Sequence, residues 1–334
     1  MKKVFFLILA VTLFIMTSFG MVTSQTITMK TEISKVLIYM AGSGTITIDW
    51  GDGTKIEIDT LSGDITRYFH AFSAPLQHTI SICGQNITHL NCSYNQLTDL
   101  DVGKNTALTE LDCGNNQLTN LDVKNNTKLT KLNFFENKLT SLDISKNIVL
   151  TELVCGFNPL TGLNIGKNAV LTKLQCSYNQ LTNLNVSENT VLTELDCVGN
   201  QLTNLDVSNN SLLTRLVCWG NQLTNLNISK NTKLKVLSCA DNQLTSLDVS
   251  KNTALIVLNF ENNRLMNLDV RKNNTLTDLV CSKNRLSDKA LNALFNTLHN
   301  DTVSKFVVID NNPGTDMCDQ SIATDKGWRV YATN

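Results

Sequence analysis

A period of 21 residues constrains this chain more than any other feature. Ile87, Leu108, Leu129, Leu150, Leu171, Leu192, Leu213, Leu234, Leu255 and Leu276 follow one another at that spacing without one insertion. Each opens the phrase L-x-x-L-x-C-x-x-N-x-L-T-x-L-[DN]-[VI]-x-x-N-x-x, as in LTELDCVGNQLTNLDVSNNSL from Leu192 to Leu212. Nine copies are complete between 87 and 275, and a tenth begins at 276. Units this short cannot bury an apolar face alone, so they must stack on their neighbours and share one continuous core.

The end of L-x-x-L-x-C alternates apolar and polar residues, as a short half-buried strand does. Stacked copies then form a parallel sheet with rungs about 4.8 Å apart. In the sixth copy Leu192, Leu195, Cys197, Leu202, Leu205 and Val207 are the inward positions. Burying each large side chain contributes about 1.5–3 kcal/mol. Two asparagine columns close the turns, one from Asn95 to Asn284 and one from Asn105 to Asn273. A buried amide must be paired, so each is expected to bond the backbone of its own turn and of the next rung.

This phrase resembles the leucine-rich repeat, with cysteine at the third apolar place. The repeat length and the cysteine column resemble the J-type internalins, which are secreted bacterial surface proteins. The resemblance covers roughly residues 87–313. It implies an α/β-type leucine-rich repeat solenoid that is mostly β. The parallel sheet would line the concave face, with little helix except at the C-terminal cap. In that family the concave face usually binds another protein or a glycan, and internalins serve adhesion to host surfaces.

Ten cysteines in an exported chain would first suggest disulfides. Cys92, Cys113, Cys155, Cys176, Cys197, Cys218, Cys239 and Cys281 instead share the sixth repeat position, which Phe134 and Phe260 fill in the other two rungs. A slot that accepts phenylalanine is an apolar slot. Equivalent side chains one rung apart point the same way, whereas a disulfide needs Cβ atoms about 3.8 Å apart in crossed geometry. A ladder of free, buried thiols is expected. No CxxC or CxxH spacing is present, so no metal is expected, and no cofactor motif is found.

Four segments follow. In residues 1–24, Lys2 and Lys3 precede the apolar run Val4–Met16 and a small-residue stretch, the order of a cleavable secretory signal peptide. The apolar core is short for a membrane span, which needs about 20 residues. The expectation is an exported chain without membrane insertion after signal removal, lipobox or C-terminal anchor. Residues 25–86 contain six short β-branched runs and read as a β-rich capping domain. Asp49-Trp50-Gly51-Asp52-Gly53-Thr54 with His70-Ala71-Phe72 resembles the WGDG signature of polycystic-kidney-disease-like β-domains. Residues 87–286 hold the 21-residue repeats, and 287–334 a helix-containing last repeat and C-terminal cap. There, Ser287 is the expected N-cap of a helix with Leu291, Leu294, Phe295 and Leu298 as its apolar stripe. An eleventh rung should run through Val307, Ile309 and Asn312, followed by a short helix over 316–326 and a strand WRVY.

The histidines sit in no HExxH, and carboxylates recur in columns. Catalysis needs one place where unlike groups converge, so no enzyme is expected. A formal charge of -1 leaves no basic footprint for nucleic acid. A monomer with a protein or glycoprotein partner is expected. Repeat positions three, five, seven and eight should face the concavity. Position three reads His89, Glu110, Lys131, Glu152, Lys173, Glu194, Arg215, Val236, Val257 and Asp278. Its alternating signs predict a cross-strand ion-pair ladder. The face turns apolar at Val217, Trp219, Val236 and Val257 beside Arg215, and Phe135, Phe157, Tyr94 and Tyr178 add aromatic groups at positions seven and eight. Clustered exposed aromatics mark binding surfaces. A partner that buries this row is the expected function; a carbohydrate-binding module using the aromatics, or a self-associating surface protein, are the alternatives.

Overall fold

The computed structural model describes residues 25–332. The leader expected over residues 1–24 lies outside the described residues. The repeats form a solenoid in which each rung contributes a three-residue strand. These run from β9 (Glu110–Asp112) through β10 (Lys131–Asn133), β11 (Glu152–Val154), β12 (Lys173–Gln175), β13 (Glu194–Asp196), β14 (Arg215–Val217), β15 (Val236–Ser238) and β16 (Val257–Asn259) to β17 (Asp278–Val280). Every neighbouring pair is parallel and in register at a shift of 21 residues, as in Glu194↔Arg215. The expected inward positions of the sixth rung, Leu192, Leu195, Cys197, Leu202, Leu205 and Val207, are all buried.

At the N-terminus six strands match the six β-branched runs: β1 (Gln25–Thr31), β2 (Lys35–Gly42), β3 (Ile46–Asp49), β4 (Lys55–Ile58), β5 (Thr66–Ala71) and β6 (His78–Gly84). They do more than sit on the first rung. β7 (Ile87–Asn91) pairs antiparallel with β2 and parallel with β9, so β2 and β5 prolong the repeat sheet to 14 strands. β8 (Asp99–Asp101), from the back of the first repeat, pairs with β1 in a second, 5-stranded sheet. The hairpin at 50–54 is held by the WGDG residues. Trp50 is fully buried and stacks on His70 at 4.7 Å. Asp52 accepts from the Thr54 hydroxyl at 2.6 Å and meets His70 Nε2 at 2.7 Å. These bonds hold its carboxyl well below the usual carboxylate range.

At the C-terminus helix α1 (Asp288–Thr297) starts where expected, with Ser287 accepting from the Ala290 N–H at 3.2 Å. Its buried Leu291, Leu294 and Phe295 cover the last rungs. β18 (Lys305–Val308) supplies the eleventh rung, and β19 (Trp328–Tyr331) is the terminal strand of the large sheet. The helix expected over 316–326 is shorter: α2 spans Ser321–Thr324, and turns fill the rest. Among the described residues no helix is long and apolar enough to cross a membrane.

The asparagines bind the rungs together, in the direction opposite to that expected. Asn200 donates to the Cys197 and Val198 carbonyls of its own turn at 3.0 and 3.2 Å, and to Cys176 of the preceding rung at 3.0 Å. Its oxygen accepts from the Leu181 N–H, also in the preceding rung, at 3.1 Å. The carbonyls of positions six and seven face the amide nitrogen, which also reaches the preceding rung, as the side-chain oxygen does. In the second column Asn210 donates to Val186 and Asn189 of the preceding rung at 3.0 and 2.8 Å. Each column therefore makes two side-chain bonds to the preceding rung, but only the first also bonds its own turn, and the second leaves buried oxygens such as Asn210 Oδ1 without a partner.

The ladder cysteines are free and buried, as are the Phe134 and Phe260 that share their slot. Cys83 and Cys318 are free as well. Burial pushes the Cys239 thiol up to about 12, and raises the other ladder thiols too.

Asn200→Ala leaves a backbone N–H and buried carbonyls without their partner. Each such loss costs about 1–3 kcal/mol, so urea unfolding should show a loss of at least about 2 kcal/mol. Asn204→Ala, at an exposed position, should change stability little. Equal effects would rule out the role given to the column.

The cysteine ladder makes stability fall with alkaline pH. Unfolded thiols ionise near about 8.5, while the buried ones resist ionisation. A raised folded pKa stabilises fully below the unfolded value, and that contribution is lost as pH rises from about 8.5 through the folded value. Denaturant midpoints should decline above about pH 8.5, and decline less in a Cys197→Ala, Cys218→Ala variant. A decline of the same steepness in that variant would contradict the thiol account.

Candidate functional site

The strand spacing brings four of the predicted aromatic side chains together. Phe135 lies 5.1 Å from Phe157 between ring centroids, and Phe157 lies 4.3 Å from Tyr178. Tyr178 meets Trp219 edge-on at 5.9 Å, although the two belong to rungs five and seven. Gly199, in rung six, makes that reach possible. It holds φ +62, and a Cβ there would stand 2.6 Å from the Tyr178 ring. Rung six therefore has no side chain where Tyr178 crosses it.

Beside this row runs a groove of about 260 Å³ lined by Phe135, Gly156, Phe157, Gln175, Ser177, Tyr178, Asp196, Val198 and Trp219. Phe157 and Tyr178 are exposed, whereas Phe135 and Trp219 are half-buried. Asp196 accepts from the Ser177 hydroxyl and the Val198 N–H, so it is oriented at the groove wall.

Other predicted positions fall differently. Tyr94 is exposed in the first rung, two rungs before Phe135, and has no ring contact among the described residues. Val217 is buried, with 5% exposure, so it supports the face instead of presenting surface. It is held between Asp196 and Ser238 on the neighbouring strands. Val236 and Val257 are half-buried and lie beside the exposed Arg215 in register.

Position three is not an unbroken ion-pair ladder. Glu110 binds Lys131 at 2.9 Å and His89 at 3.3 Å, and Glu152 binds Lys173 at 2.8 Å. Among the described residues no ion pair within 4.0 Å joins Lys131 to Glu152, Lys173 to Glu194 or Glu194 to Arg215. A lysine that folds toward one neighbour turns away from the other. Burial pushes the Glu110 carboxyl up, but Lys131 and His89 outweigh it and hold it below its usual range.

A second concave groove, of about 270 Å³, was not legible in the repeat. Tyr39 and Ile65, from the N-terminal strands' region, line it with His89, Glu110 and Lys131. Only the placement of β2 beside β7 brings Tyr39 there. Among the described residues no group of three or more His, Cys, Asp or Glu could hold a metal ion.

Residues 85–126 match the family model Leucine Rich repeats (2 copies). The functional domain of InlJ from Listeria monocytogenes, which includes a cysteine ladder, is 34% identical. That match covers 78% of this chain and 56% of that one, at a TM-score of 0.66. The chain carries leucine-rich repeats of the cysteine-ladder kind. It spans a little over half the length of the InlJ domain. A leucine-rich-repeat protein of Leptospira interrogans is 26% identical over 73% of this chain and 65% of its own, at a TM-score of 0.62. YopM, a leucine-rich effector of Yersinia pestis, shares the leucine-rich-repeat fold at 24% identity, over 69% of this chain and 61% of its own, at a TM-score of 0.54. No curated protein sequence matches the chain.

Gly199→Ala tests how the aromatic row is joined. The methyl group must push the Tyr178 ring aside, and alanine at that φ costs about 1–2 kcal/mol. Trp50 and Trp328 are buried, so Trp219 is the most solvent-sensitive of the 3 tryptophans. Its emission should shift to the red in the variant. An unchanged spectrum would show that Tyr178 does not shape the surroundings of Trp219.

Proposed function

We propose that this leucine-rich-repeat protein is a non-catalytic binder that engages a protein partner through its concave face. The partner, a glycoprotein included, would centre on Trp219, Tyr178, Phe157 and Phe135. The observation that carries the reading is the continuous contact of these rings across rungs three to seven, beside a groove with an oriented carboxylate. Aromatic side chains supply large contact area at low entropic cost and dominate binding hot spots. Arg215, Val236 and Val257 extend the surface toward the C-terminal rungs, and Val217 backs it from below. Tyr94 would contribute only through a partner long enough to reach the first rung.

The leader reading supports export, with the protein acting as a monomer outside the cell or at its surface, in adhesion to a host or matrix. The β-rich region before residue 87, with its WGDG turn, closes the first rungs and adds Tyr39 and Ile65 to the concave surface. Carbohydrate binding is the second reading, because Gln175 and Asp196 lie beside the rings. The ring planes weigh against it. They are inclined to one another by 57°, 36° and 81°, which gives no flat platform for successive sugars.

Trp219→Ala should weaken binding to a partner captured from host secretions by at least about 2 kcal/mol, the hot-spot threshold. Its melting temperature should stay nearly unchanged. Capture that survives deglycosylation of the secretions supports the protein reading, and capture lost on deglycosylation supports the sugar reading. A variant that loses stability yet keeps affinity would place Trp219 in the fold and remove it from the binding surface.

A further inference from the structure

The last two positions of the repeat carry a second departure from the pattern. Position 21 reads Ala107 and Lys128, then Val149, Val170, Val191 and Leu212, then Lys233, Ala254 and Thr275. Ile148 and Ala169 widen the apolar run at position 20. Ile148, Val149, Val170 and Val191 are 57%, 42%, 45% and 37% exposed, large fractions for aliphatic side chains. Scattered apolar residues on a surface need no explanation, but a contiguous run does. This one follows four successive rungs. It precedes the strands in each repeat, whereas the aromatic row follows them, so the two surfaces lie at opposite ends of the concave strands.

Lysines border the run at its ends and along one side. Lys128 and Lys233 close its two ends, and Lys146, Lys167 and Lys230 stand three residues before position 21 in their rungs. All five are exposed. The ion pairs of the described residues use other lysines. Glu188 is the one acidic residue at the corresponding place in rungs three to seven. Lys146 feels the nearby Asp143, but none of the five is held in a direct ion pair. An apolar strip with a cationic margin is complementary to an apolar strip with an acidic margin.

We infer that this stripe docks an acidic amphipathic helix of a protein partner, on a surface separate from the aromatic row. Four rungs place the outer side chains about 14 Å apart. Three turns of helix cover about 16 Å, and their apolar residues recur every 5.4 Å or so, close to the rung spacing. Acidic residues flanking the helix's apolar face then meet Lys128, Lys146, Lys167, Lys230 and Lys233. A second copy of this chain fits less well, because a twofold contact along the stripe sets Lys128 against Lys233. An anionic membrane fits less well too, because interfacial binding relies on larger side chains that reach below the headgroups.

The test uses the full chain and fluorescent synthetic peptides. One is an amphipathic helix with leucine on one face and glutamate at its margins, and the other carries lysine in place of glutamate. Anisotropy titration should show at least tenfold tighter binding of the acidic peptide. That affinity should fall at least tenfold in Val170→Asp, Val191→Asp and in the charge-reversed Lys128→Glu, Lys233→Glu, and persist in Trp219→Ala. Circular dichroism melts check that the variants fold. The lysine variant, altered only at exposed positions, decides the matter if the valine variant does not. No preference between peptides, or binding indifferent to both stripe variants, would overturn the inference. So would binding of the unlabelled chain to phosphatidylserine vesicles, lost on the same substitutions, without binding of the acidic peptide.

Discussion

The bond on which this structure most depends is that between a turn asparagine and the rung before it. A stack of 21-residue units has polar backbone at every turn, and those turns pack against one another out of reach of water. Asn116, Asn137, Asn158, Asn179, Asn200, Asn221, Asn242 and Asn263 each reach back to the carbonyl at the sixth position of the preceding rung. Their oxygens accept the N–H at position eleven of that same rung, as between Asn221 and Leu202. A residue of different length or polarity would leave several buried groups unpaired at once. The column therefore sets the spacing, and the apolar core fills what the spacing allows. A thiol fits the sixth position because the space beside the turn takes a small apolar side chain or, in two rungs, a phenylalanine.

Because the rungs are held alike, their surfaces differ only where the sequence departs from the repeat. Departures on both flanks gather in rungs three to seven. Phe135, Phe157, Tyr178 and Trp219 line one end of the strands, and Val149, Val170, Val191 and Leu212 mark the other. Gly199 shows how a missing side chain can be as specific as a present one, since Tyr178 occupies the space that a Cβ would take. The N-terminal strands and the C-terminal helix close the stack. The 14-stranded sheet makes the cap strands β2 and β5 part of the same concave surface.

The fold was legible because a period carries through ten copies whatever the local propensities are. Strand positions, core positions and the cysteine ladder follow from it directly, and the Ser287 cap follows from the helical stripe after the last 21-residue copy. What one repeat could not carry was the geometry between rungs. The direction of the asparagine bonds depends on which neighbour a turn's carbonyls face. The break-up of the charge row depends on side-chain choice, since Lys173 can fold toward Glu152 or Glu194 but not both. Val217 reads as exposed from its place in the strand, and only its neighbours' packing buries it. Tyr94 reads as part of the aromatic row by position, yet it stands two rungs away from the nearest member. Tyr39 enters the concave surface through the antiparallel pairing of β2 with β7, which nothing in the repeat encodes.

Hydrogen exchange at single-amide resolution tests the role of the asparagine column most directly. The N–H groups of Leu118, Leu139, Leu160, Leu181, Leu202, Leu223, Leu244 and Leu265 lie outside the strands and each donates to an asparagine side chain. If these bonds hold the stack, those amides should be as strongly protected as the strand amides of Leu195 and Leu216, and should open with them in one cooperative unit. Exchange of the same amides at the rate of solvent-exposed turns, while the strands stay protected, would contradict the account.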